Sequence, residues 1–143
     1  MLNLYDTDFY SWTQQQAALL RMGNIGAIDI DNLIEEIEDM GISQWRALES
    51  RLIVLLAHLL KWIYEPEYRS NSWEGTIRWQ RSEVQTVLQH NPGLKHKLPE
   101  IFKDAYKRSR IFAMKETGLK LNTFPLDCPW NFTQVMDDDF WLE

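Results

Sequence analysis

The sequence predicts an all-α fold: one compact bundle of about five helices around a central helix over residues 43–65, with an irregular C-terminal tail packed on the body. Three observations predict it. In SQWRALESRLIVLLAHLLKWIYE, residues Trp45, Leu48, Leu52, Leu55, Leu56, Leu59, Trp62 and Ile63 recur at helical spacing, and nearly every position from Leu52 to Leu60 is apolar. Such a helix must be covered on most of its circumference. No stretch alternates with period two for long enough to make a strand. The 143 residues fit a single domain, 1–143, able to bury about two thirds of the surface its unfolded form exposes.

Each further element has its own signal. Asp6 or Thr7 can cap a first helix whose positions Phe9, Trp12, Gln16, Leu19 and Leu20 lie on one side, and Gly23 suits its end. Asp29, Asp31 and Asn32 offer caps for DNLIEEIEDMG, in which Leu33, Ile34, Ile37 and Met40 form the buried stripe. Gly41 either kinks this helix or separates it from the central one. Pro66 ends the central helix, because the residue before a proline is pushed out of helical geometry. Asn71 with Glu74 resembles a capping box for a helix over 72–90, with Trp73, Ile77, Arg81, Val84, Val87 and Leu88 facing inward. After Asn91-Pro92-Gly93, Pro99 fits the first turn of a helix running to about Thr117, packed through Ile101, Phe102, Ala105, Phe112 and Ala113. Gly118, Pro125 and Pro129 make the tail irregular, Asn131 caps a last turn, and Phe140 and Trp141 fold back onto the body.

Composition narrows the function classes. A single cysteine, Cys128, rules out an internal disulfide, and no secretory leader is seen, so a reducing cytosol is the expected location. The nine-residue apolar run at the centre is shorter than the roughly 20 residues a membrane span requires. The net charge of −6 is unevenly spread. Residues 1–50 carry nine acids and two bases, and residues 51–120 carry thirteen bases and seven acids. Acidic and basic helices that match one another are the plain interpretation; a basic patch for nucleic acid along 95–115 is the sharper one.

Few constellations carry chemistry. Arg51 and His58 are seven residues apart, which at about 100° per residue returns them to nearly one face, two turns apart. The pair resembles the R-x(4–6)-H motif of the HEPN ribonucleases, although Leu52 stands where that family prefers a polar residue. The resemblance implies metal-independent RNA cleavage, with His58 moving protons and Arg51 steadying the phosphate. The structural alternative makes His58 a hydrogen-bonded core histidine and Arg51 a rim residue paired with an acid. Glu35, Glu36, Glu38, Asp39 and Glu49 form an acidic set, but no Glu-x-x-His, HExxH or paired CxxC accompanies it, so neither a metal nor a cofactor is expected. Arg81 faces inward and needs a carboxylate, for which Glu35, Glu38 and Glu49 are candidates. Its alternative is an anion-binding cleft with Arg69 and Trp73. Trp79, nearly opposite Ile77, marks a subunit contact or a tail-docking site.

Taken together, LYDTDFYSWTQQQAALLR, LIEEIEDMG, ALESRLIVLLAHLLKW, RSNSWEGTIRWQR, FPLDCPW and DDDFW resemble the bacterial, mainly cyanobacterial, domain of unknown function 29 family across nearly the whole chain. The resemblance implies a compact helical domain and no reaction. The expected function is therefore that of a cytosolic interaction or regulatory module with a protein partner. A homodimer is an alternative assembly, and the competing functions are a ribonuclease using Arg51 and His58 and nucleic-acid binding through the basic helix.

Overall fold

Asn3 and Asp8 each start a helix at the head of the chain. The Asn3 side chain accepts the Tyr5 N–H at the start of α1 (Leu4–Thr7). Asp8 leaves helical geometry and caps α2 (Phe9–Arg21), accepting from the Ser11 N–H at 3.1 Å and the Ser11 hydroxyl at 2.6 Å. The single first helix expected from sequence is thus two. The computed structural model describes residues 3–140, which form six α-helices joined by short 3₁₀ turns, with no strand among the described residues. Residues 1–42 make one compact unit and residues 43–143 another.

The first unit contains α1, α2 and the start of α3 (Ile30–Tyr64). Trp12 and Gln16 are the buried residues of α2, and both reach Asp29 just before α3. The Trp12 indole N–H donates to the Asp29 carboxylate at 3.1 Å, and Gln16 Oε1 accepts the Asp29 backbone N–H at 2.7 Å. Tyr5 and Phe9 pack their rings on Trp12 at centroid distances of 4.8 and 5.6 Å. Beyond Trp12 and Gln16, much of the expected inward stripe is left uncovered. Phe9, Leu20 and Ile34 are about half exposed, Ile37 is 60% exposed and Met40 62%. The physical reason is geometric: one full helix and one four-residue turn meet α3 along a single seam, and a seam hides less than the broad stripe both helices carry.

The second unit holds the main core. Along α3, Leu48, Leu52, Leu55, Leu56, Leu59 and Leu60 are fully withdrawn from water, as the apolar run predicts. Ile77, Val84 and Leu88 of α4 (Asn71–His90) and Ile101, Ala105 and Ala113 of α5 (Leu98–Thr117) complete the cluster. From the tail, Phe124, Trp130 and Val135 of α6 (Phe132–Met136) join it, with Phe140 packed at its margin. Trp141 lies outside the described residues. Two caps differ in detail. Ser70, one residue before the expected Asn71, caps α4, and Glu74 pairs with Arg78 at 3.1 Å instead of closing a capping box. At α6 the full box forms between Asn131 and Gln134.

Gly41 neither ends nor separates a helix: α3 runs through it for 35 residues. Favourable residues on both sides outweigh one glycine, which costs about 1 kcal/mol against alanine in a helix interior. A Cβ built at Gly41 meets nothing within 4 Å. Gly41→Ala is therefore expected to stabilise the chain by about 0.5–1 kcal/mol, a rise in Tm of about 2–4 °C in a thermal melt followed by circular dichroism. A lower Tm would contradict a continuous helix at this position.

Candidate functional site

The exposed apolar side chains of the first unit surround a groove. On α2, Phe9, Thr13, Gln16, Ala17 and Leu20 follow one another at helical spacing along one side. On α3, Leu33, Glu36, Ile37 and Met40 face them, and the space between has a volume of about 410 Å³. Thr13 and Ala17 are the small side chains of the lining, and Phe9, Leu20, Ile37 and Met40 are its large, exposed apolar ones. From Phe9 to Leu20 the wall of α2 rises about 16 Å at 1.5 Å per residue, which is three helical turns.

Negative charge gathers on the α3 side. The Tyr5 hydroxyl donates to the Glu36 carboxylate, and Glu35 and Asp39 lie close enough to act on the same hydroxyl. The bond to Glu36, reinforced by the neighbouring carboxylates, pushes the tyrosine pKa well above its ordinary value and keeps the phenol neutral. Hydrogen bonds from Asn32, at 2.8 Å, and from Trp12 hold the Asp29 carboxyl below its usual range, so it is ionised. Residues 1–42 hold eight acids and Arg21 as the single base. This part of the chain is an acidic body with an open apolar groove.

The residues singled out from sequence lie elsewhere or serve structure. Arg51 reaches Glu83 of α4 at 3.5 Å. The His58 ring donates from Nδ1 to the Val54 carbonyl at 2.8 Å and lies beside Phe112. The Arg69 guanidinium donates to the Trp62 carbonyl at 2.7 Å and stacks on the Trp62 ring, which ties the turn after α3 back to the helix. Trp73 receives the Lys61 ammonium over its face at 4.7 Å, and Lys61 is only 7% exposed. Arg81 is 1% exposed, as its register predicts. Its described hydrogen bonds, however, run to the tail: Nε to the Val135 carbonyl at 2.8 Å and an Nη to the Phe140 carbonyl at 2.9 Å. Burial lowers its pKa, and Asp138 and Asp137 oppose that shift. Of the carboxylates proposed for it, Glu49 instead meets Arg108 at 3.3 Å, and Glu35 and Glu38 are exposed on α3. Trp79 is 57% exposed, so the described tail does not cover it. Burial pushes the Cys128 thiol up, away from the thiolate a nucleophile requires.

Burial also holds the His58 pKa below 6.5, against the Val54 carbonyl, which raises it. Between the folded value and the unfolded one the unfolded chain binds more protons, so stability falls as the pH is lowered through about 6.5 and levels off below the folded pKa. His58→Gln is expected to flatten that part of a pH series of urea titrations. An unchanged slope would mean that His58 is as solvated in the fold as in the open chain.

The family model described as "Domain of unknown function DUF29" matches residues 4–141. The chain belongs to the DUF29 family. No curated protein and no solved structure matches it. In this DUF29 chain no described helix is long and apolar enough to cross a membrane. Sequence reasoning missed the groove because it assigned both apolar stripes to the interior. The available signal was the number of apolar stripe positions in residues 1–42 set against the few helices there to cover them.

Proposed function

We propose that this DUF29 chain is a protein-interaction module that docks a helical segment of a partner protein in the groove between α2 and α3. The observation that carries this reading is the exposure of Ile37 and Met40 on the wall of a groove three turns long. Exposed apolar surface of this kind costs free energy unless something covers it, and a groove between two helices has the shape that a third helix fills. The rest of the chain supports an architectural role. Arg51 and His58 are engaged with Glu83 and with a helix carbonyl, which favours structure over ribonucleolysis. On basic α5, Arg108 pairs with Glu49, and Arg110 donates to the Leu121 and Phe124 carbonyls, which draws part of its charge inward. The free thiol of Cys128 suits a reducing cytosol.

A photo-crosslinking residue placed at position 37 tests the reading in the native host, with position 111 on α5 as control. The expected product joins position 37 to an amphipathic helical segment of another protein, mapped by mass spectrometry, with no such product from position 111. Absence of any product at 37, or the same products from both positions, overturns it.

A further inference from the structure

The groove is not electrically neutral, and its charge selects among helices. Glu36 is part of the lining, and Glu35 and Asp39 converge with it near the Tyr5 hydroxyl. Around them lies a unit with eight acids and one base. An incoming helix therefore meets an apolar floor inside a field of one sign. Flanking lysines or arginines are drawn in, and flanking carboxylates are repelled before contact is made. Resting on the docking role proposed above, we infer that the occupant is a cationic amphipathic helix, about three turns of apolar side chains flanked by lysine or arginine.

A second copy of the chain fits poorly as occupant. Groove against groove would oppose two acidic faces, each with a formal excess of seven negative charges in residues 1–42. The cationic helix the chain itself offers, α5, exposes Ile111 as its one large apolar side chain among the described residues, too little to fill three turns. The complementary partner has to combine both properties on one helix: charge for approach and orientation, and an apolar stripe for the floor.

Two synthetic helical peptides with identical leucine stripes, one flanked by lysines and one by glutamates, test this against the full chain. Affinity is read by fluorescence anisotropy and location by methyl shifts of Ile37 and Met40. The lysine peptide is expected to bind at least about tenfold more tightly, the gap closing as salt shortens the screening length. Glu36→Gln with Asp39→Asn should narrow the gap several-fold, and Ile37→Ser with Met40→Ser should remove binding of both peptides. Equal affinities would overturn the inference and leave the docking role standing. If neither peptide binds, the docking role falls with it. Binding of the lysine peptide that survives the two serine substitutions would reduce the effect to charge alone and overturn the inference. So would a dimer in sedimentation that the same serine substitutions dissolve, since the occupant would then be a second copy.

Discussion

Leu55→Ala is expected to lower the unfolding free energy by about 2–5 kcal/mol, whereas Ile37→Ala should change it by no more than about 0.5 kcal/mol. Both positions carry large aliphatic side chains on the same helix, α3, and the spacing of each predicts a buried face. They differ in surroundings. Leu55 is 0% exposed among Leu52, Leu59 and the inward residues of α4 and α5, so truncation leaves a cavity that close packing cannot fully collapse. Ile37 has solvent over most of its surface, and alanine is the better helix former. Urea titrations followed by tryptophan fluorescence and circular dichroism give both values. An Ile37→Ala cost equal to that of Leu55→Ala would mean that the groove is closed and that no docking face exists on the first unit.

Arg81→Ala is the second large effect. It removes a guanidinium that donates to the Val135 and Phe140 carbonyls from a site 1% open to water. Each carbonyl left buried without a donor costs roughly 1–3 kcal/mol, so the tail can regain water only by lifting away. Amide exchange over residues 132–140 is therefore expected to accelerate far more than exchange in α4 or α5. Arg81→Lys should rescue little, since a single ammonium on a flexible stem does not span two carbonyls five residues apart as a planar fork does. Unchanged exchange in α6 after Arg81→Ala would mean that the packing of Trp130 and Val135 holds this part of the tail without the guanidinium.

Local signals in the sequence were enough to locate most of the helices. The apolar run of the central helix, the inward register of Arg81, the end of α5 at Gly118, which takes a left-handed φ of +74°, and the Asn131 cap all depend on interactions within a few residues. Features that depend on distant parts of the chain were not legible. Period 3.6 identifies the apolar side of α2 and of the start of α3, but not whether the fold supplies a surface to cover it. The described hydrogen-bond acceptors of Arg81 lie 54 and 59 residues away and are backbone carbonyls, which every residue has, so no residue type marks them. A buried cation calls for negative charge or oriented acceptors, and the carbonyls of residues 135 and 140 supply part of that need. The groove is hidden in the sequence for the opposite reason: its residues have the types and spacing of core residues, and only their exposure distinguishes them.

The way Arg81 holds the tail also bears on how freely the tail can vary. A guanidinium that grips main-chain oxygens reads the path of the polypeptide, not the letters along it. As far as this contact is concerned, position 140 tolerates any replacement that keeps the carbonyl in place, and position 135 is restricted only by the room around its side chain. In relatives of this chain, drift should therefore be wider at position 140 than at position 81, while position 135, fully buried in the core, stays apolar and of similar size.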